Sequence, residues 1–135
     1  TSANAKKMKD SLAPTLDQSV AALLTDLQQR GMLDETLVVI NAEFGRTPKI
    51  NKNLGRDHWP FVYSLALAGA GVQGGAVYGK SDKSAAYPLE NPRDPADMAA
   101  TIYHLLGVSP ATRVYDSAGR PHSLVVGSPI EELLS

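Results

Sequence analysis

The chain has 135 residues, with 13 Lys and Arg against 14 Asp and Glu, for a formal net charge of −1. The absence of a whole-protein positive field excludes a dominant polyanion-binding surface, so no nucleic-acid partner is expected. Hydrophobic residues make up 43% and charged residues 20%, the balance of a folded domain rather than a disordered or membrane one. No apolar run approaches the ~20 residues that span a bilayer, so no membrane partner is expected either. Cysteine is absent, which excludes disulfides and thiolate metal sites. The length predicts one domain with a core that needs no staples. The opening Thr1-Ser2-Ala3-Asn4 lacks an initiator Met and a signal-like segment, and is expected to belong to a processed or excised piece.

Residues 1–14 are polar and Lys-rich (Lys6, Lys7, Lys9) and end at Pro14, a lead-in or the frayed end of a helix. Residues 15–135 are expected to form the single domain. Leu16, Val20, Leu23, Leu24 and Leu27 recur at helical spacing and Gly31 supplies a stop, which predicts an amphipathic helix over about 15–30. Thr36-Leu37-Val38-Val39-Ile40 is an unbroken apolar run, the pattern of a strand covered on both faces in a parallel sheet. Residues 43–60 form a polar loop at its carboxyl end. A strand pattern resumes at Phe61–Ala68 and is broken by Gly69, Gly71, Gly74, Gly75 and Gly79. Residues 80–93 read as a surface loop. Asp94, Pro95 and Asp97 open a second helix that Gly107 ends. Val114-Tyr115 and Leu124-Val125-Val126 flank Asp116–Gly119, which predicts a small terminal β-hairpin. The fold class expected is α/β, a largely parallel sheet flanked by helices.

Two patterns imitate nucleotide sites. Gly74-x-x-x-x-Gly79-Lys80-Ser81 matches the phosphate-loop spacing, in which Lys80 would meet terminal phosphates. That chemistry needs a helix opening directly after Ser81, and Asp82–Pro88 has no apolar periodicity. Gly69-x-Gly71-x-x-Gly74 resembles a dinucleotide fingerprint, again with no helix following. Gly-rich turns account for both better, and nucleotide binding through Gly74–Ser81 is the weakest of three readings. No Gly-x-Ser-x-Gly elbow exists, and His104 and His122 read as packing or surface histidines.

The loop 43–60 stands apart. It holds four basic and two acidic residues, a local charge of +2 that leaves −3 for the remainder, and it leaves a strand at the edge where α/β proteins place ligands. Glu43, Asp57 and His58 are candidate ligands to a divalent metal, and Arg46 and Arg56 candidate ligands to a phosphate or sulfate. The competing reading is a solvated loop in which Arg46 pairs with Glu43 and Arg56 with Asp57. Three ligands without a fourth leave a metal site incomplete, and spacing does not separate the two readings.

The strings Ala13-Pro14-Thr15-Leu16-Asp17, Asp34–Val39, Glu43-Phe44-Gly45-Arg46-Thr47-Pro48, Gly55-Arg56-Asp57-His58-Trp59-Pro60 and Gly74–Gly79 resemble the C-terminal part of the bacterial family catalogued as domain of unknown function 1501. That family is similar to the alkaline phosphatase and sulfatase superfamily. The resemblance covers nearly everything beyond about residue 10 and implies that the chain is the C-terminal portion of a larger hydrolase-like domain.

In the superfamily a buried strand ends in a Ser-Asp-His-Gly-like turn whose Asp and His bind metal. The resemblance places Glu43 at the Asp and Phe44 at the His, where phenylalanine cannot bind. It places His58 at a later metal-binding histidine and makes Asp57 a second ligand or the orienting partner of His58. The nucleophile would lie outside this chain, so no catalytic residue is expected here and the chain by itself is expected to be inactive.

The implied function is metal-dependent hydrolysis of sulfate or phosphate esters, using Zn, Ca, Mg or Mn. The expected partner is an anionic small molecule or glycan ester, and export from the cell is expected. A non-catalytic binding or scaffold module is the alternative. The oligomeric state is left open.

Overall fold

The computed structural model describes residues 4–135. Its first feature is a long amino-terminal helix in three pieces: α1 (Asn4–Lys7), a π-helical turn (Met8–Leu12) and α2 (Ala13–Gln29). The Lys-rich segment before Pro14 is therefore helical from residue 4. The π turn has a local cause. Proline lacks an N–H and its ring crowds the carbonyl four residues earlier. Here the turn before Pro14 widens, so that the Ala13 N–H bonds to the Met8 carbonyl, the usual way a helix absorbs such an insertion. The C-terminal half of α2 is anchored by Leu27, which is buried, while Met8, Leu12, Leu16 and Leu23 stay exposed.

A 3-10 turn (Leu33–Glu35) leads into β1 (Val38–Ile40), which pairs with β4 (Ala66–Ala68) in the register Val38↔Ala68, Val39↔Leu67, Ile40↔Ala66. Between them lie β2 (Gly45–Arg46) and β3 (His58–Trp59), paired with each other. Then follow β5 (Lys80–Ser81) with β6 (Pro88–Glu90), helix α3 (Pro95–Leu105), and the hairpin β7 (Arg113–Tyr115) with β8 (Pro121–Ser123).

All four pairs are antiparallel and two-stranded. This corrects the expectation of a largely parallel sheet flanked by helices. A parallel pair needs a long crossover, usually a helix. The segment between β1 and β4 holds only β2, β3 and turns, so the chain comes back in the opposite direction. The unbroken apolar run of β1 reported hydrophobicity and not strand direction, and β1 is half-buried rather than covered on both faces.

The expected helices over 15–30 and 95–106 are present, and the terminal hairpin forms with its second arm at Pro121–Ser123 instead of Leu124–Val126. The turn decides that register: the Asp116 carboxylate accepts from the Ala118 and Arg120 backbone N–H groups at 2.9 Å each, which ends the loop at Arg120.

Burial is sparse. Among the described residues the buried apolar core is Leu27, Met98, Ala100 and Ile130. The accessible surface is 9745 Å², against about 6,800 Å² for a closely packed monomer of this mass. The expected self-sufficient core is thus not formed, and wide apolar areas face outward.

The tightest packing joins α3 to the C-terminal segment. The Asp94 N–H donates to Asp97 Oδ2 at 3.2 Å at the start of α3, and the Ser128 N–H donates to Asp97 Oδ1 at 2.9 Å. Gly127 lies so close to the Ala96 backbone that a Cβ would fall 2.3 Å from it. Thr101, fully buried, donates from Oγ1 to the Asp97 carbonyl at 2.7 Å and accepts from the Ile130 N–H at 2.9 Å. The tail then reaches the Gly-rich turn, where the Gln73 N–H donates to the Leu133 carbonyl and the Ser135 N–H to the Gly71 carbonyl.

Two outcomes follow from this junction. Thr101→Val leaves the Ile130 N–H buried without a partner and is expected to lower unfolding free energy by about 1–3 kcal/mol in urea titrations. Thr101→Ser keeps the hydroxyl and is expected to lose only about 1 kcal/mol. The backbone N–H groups of Ser128 and then Asp94 hold the Asp97 carboxyl below its ordinary value of 3.8. Its stabilisation is therefore complete above that pH and is lost as pH falls through the lowered value. Asp97→Asn is expected to flatten the acid side of the stability profile, read as urea midpoints below pH 3.8.

Candidate functional site

The loop 43–60 folds back on itself. Gly45 opposes Trp59 and Arg46 opposes His58. The approach requires glycine: a Cβ at residue 45 would sit 2.0 Å from the Val62 carbonyl oxygen. Alternation along the strands then puts Phe44, Arg46 and His58 on one face. The Phe44 and His58 rings stack with centroids 4.0 Å apart and planes at 28°, and the Arg46 guanidinium carbon lies 5.6 Å from the Phe44 centroid.

Residues 47–57 are built by their own polar side chains. Thr47 and Asp57 close the neck, with the Thr47 N–H on the Asp57 carbonyl and the Asp57 N–H on Thr47 Oγ1, each at 3.0 Å. Asn51 Oδ1 accepts from the Asn53 and Gly55 N–H groups at 3.0 Å, and Asn51 Nδ2 donates to Asp57 Oδ1 at 2.9 Å. Arg56 Nη1 donates to the Thr47 and Pro48 carbonyls at 2.9 and 2.7 Å. Arg56 is thereby a fastener of the loop.

Arg46 is differently placed. Among the described residues its guanidinium makes no hydrogen bond or ion pair and lies instead over the Phe44 ring, and the Glu43 carboxylate likewise has no hydrogen-bond or ion-pair partner. The solvated Arg46–Glu43 pair is not formed. Arg46 lines a cleft of about 1020 Å³ whose walls also include Phe44, Phe61, Tyr63, Met98 and Ile130. Two other cations on that cleft are engaged: Lys80 Nζ lies 2.9 Å from Glu90 Oε1, and Arg93 Nη2 donates to the Tyr78 hydroxyl at 2.8 Å and lies 3.3 Å from Glu132 Oε2.

The metal candidates share the loop. The Asp57 carboxylate is held by Asn51 and the His58 ring lies against Phe44. Among the described residues no three His, Asp or Glu side chains are grouped to hold a metal ion. The position that the resemblance equates with a metal-binding histidine does face His58, but its side chain is the carbon ring of Phe44. The residues present do not by themselves fit a divalent ion.

The phosphate-loop pattern also lacks its setting. Ser81 ends β5, which pairs with β6, where a helix would be required. His104 is exposed, and His122 Nε2 lies 3.2 Å from Asp116 Oδ2 in the terminal hairpin.

Sequence reasoning missed the aromatic group of Trp59, Phe61 and Tyr87, whose ring centroids lie 4.9 to 5.7 Å apart. The signal was the local density of rings in Trp59-Pro60-Phe61. It also missed the Tyr78–Arg93–Glu132 cluster, whose members are too far apart in the chain for spacing to associate them. Among the described residues no helix is long and apolar enough to cross a membrane.

The two arginines are expected to separate experimentally. Arg56→Ala removes both guanidinium bonds and is expected to speed tryptic cleavage after Lys49 and Lys52 by about tenfold. Arg46→Ala is expected to leave that rate unchanged, as followed by mass spectrometry of timed digests.

Comparison with curated proteins and with solved structures finds no match. The model of the family described as protein of unknown function (DUF1501) matches residues 2–134, and the chain belongs to that family.

Proposed function

We propose that this chain supplies the anion-facing wall of a site for a sulfate or phosphate ester, in a protein with hydrolase chemistry of the kind found in the alkaline phosphatase and sulfatase superfamily. The observation that carries the reading is Arg46. It stands on the β2–β3 pair at the cleft, its guanidinium without a hydrogen bond or ion pair among the described residues, while Lys80 and Arg93 on the same cleft are engaged. A planar guanidinium in that setting suits two oxygens of a tetrahedral anion. Within this chain Arg46 binds and orients the ester, and Phe44 backs the guanidinium with its ring face. No metal-dependent step is assigned to these residues, because Glu43, Asp57 and His58 do not make a binding set. A bacterial, exported protein is part of the same proposal.

A second reading, a non-catalytic module that binds an anionic ligand, is favoured by the Phe44–His58 stack, which puts a ring where a metal-bound histidine would be needed. Both readings require anion binding. Calorimetric titration with sulfate and phosphate is expected to show saturable binding that Arg46→Ala weakens about tenfold. Absence of binding by the unaltered protein would overturn both. Release of para-nitrophenol from its sulfate or phosphate ester by the larger, nucleophile-bearing protein that the hydrolase reading implies would select the hydrolase, and binding without turnover by that larger protein would select the module.

A further inference from the structure

We propose that the long amino-terminal helix is a self-association surface, on which a second copy of this chain lays the same helix antiparallel about a two-fold axis near Leu16.

The helix from Asn4 to Gln29 is about 39 Å long at 1.5 Å per residue, and it is held near its ends. Leu27 is buried, and the Asn4 side-chain amide donates to the Arg56 carbonyl at 3.4 Å. Between them, residues 5–19 are all exposed. Helices draw most of their stability from burying an apolar face, and here that face is bare. Met8, Leu12 and Leu16 follow at four-residue spacing, and Leu23 and Leu27 continue the line after seven and four more, so they share one side of the helix. Leu27 is the one buried member of this line, and the other four are 45 to 54% exposed.

Three observations point to a second copy as the occupant. The apolar line is close to symmetric about Leu16: Leu12 and Val20, and further out Met8 and Leu24, lie equally far from it on either side. Two antiparallel copies therefore set apolar residues opposite apolar residues, as a self-complementary two-fold contact requires. Charge is also divided along the helix. Asn4–Leu12 carries Lys6, Lys7, Lys9 and Asp10, net +2, and Ala13–Gln29 carries Asp17 and Asp26, net −2. Arg30, which pairs with Asp26 at 2.8 Å just past the helix, reduces that difference without reversing it. Antiparallel pairing sets each half on the opposite sign, whereas parallel pairing sets like on like. The area agrees as well. The accessible surface of 9745 Å² exceeds that of a closely packed monomer by about 2,900 Å², enough for the roughly 1,000 to 2,500 Å² that each partner buries in a permanent dimer.

Sedimentation velocity is expected to show a dimer at about 100 μM chain. Leu16→Glu, which brings two carboxylates together at the axis, is expected to weaken it about hundredfold. Leu89→Glu alters an apolar side chain that is also exposed, on β6, and is expected to change nothing. The near-ultraviolet signal of Trp59, the single tryptophan, should persist in both variants, which separates loss of the dimer from loss of the fold.

The chain has no cysteine, so an introduced one reports the orientation. A disulfide needs Cα atoms within about 7 Å of each other. Leu16→Cys is expected to cross-link to its own copy on mild oxidation, and Met8→Cys, held about 24 Å from its counterpart by antiparallel pairing, is not. A protein that stays monomeric throughout would overturn the proposal, and so would cross-linking of Met8→Cys, the mark of parallel pairing. Association that Leu16→Glu leaves intact, or that Leu89→Glu weakens as much, would place the contact on another surface and overturn it too.

Discussion

A single buried hydroxyl organises much of this chain. Thr101 Oγ1 bonds back to its own helix and across to Ile130, and the C-terminal segment is thereby laid along α3 with Gly127 pressed on Ala96. From that contact the tail continues to Gly71 and Gln73, so three distant stretches of sequence are held by backbone hydrogen bonds rather than by a broad apolar core. Met98 and Ile130, the buried apolar residues beside the contact, also line the cleft. The cleft and the stabilising junction thus share Met98 and Ile130, and a change in one is felt in the other.

The candidate site shows how residues of one chemical type divide their work by local geometry. Arg46 and Arg56 lie ten residues apart in a loop of net positive charge, and composition treats them alike. The loop does not. Arg56 reaches two carbonyls of its own turn, whereas Arg46, fixed in a strand whose pairing demands Gly45, is directed to the ring of Phe44 and the cleft. The guanidinium that closes the turn makes it firm enough to present the other.

Parts of this arrangement were legible in the sequence for definite physical reasons. The long stripe Leu16–Leu27 and the Asp94-Pro95-Asp97 start encode helices through local periodicity and capping, which need no knowledge of the remaining chain. The positive charge of the Glu43–Pro60 loop was also legible. Strand direction was not. Leu37–Ile40 is apolar throughout, and such a run is compatible with either partner direction until the connection is known. The role of Arg56 was equally hidden, because its acceptors are backbone carbonyls, which every residue possesses. The aromatic group was half visible: Trp59 and Phe61 are neighbours in sequence, but Tyr87 joins them only through the Asp82 turn. The family likeness itself was legible, since Glu43–Pro48 and Gly55–Pro60 are specific strings.

The outer edge of β1 carries a consequence for how this polypeptide behaves in water. Each sheet among the described residues has two strands, so the half-buried, hydrophobic Val38-Val39-Ile40 ribbon offers a second edge that no described strand pairs with. No proline, bulge or lysine blunts that ribbon, the devices by which exposed strand margins are ordinarily protected. Left uncovered, it is a template for strand addition, and turbidity that rises with concentration is its natural signature.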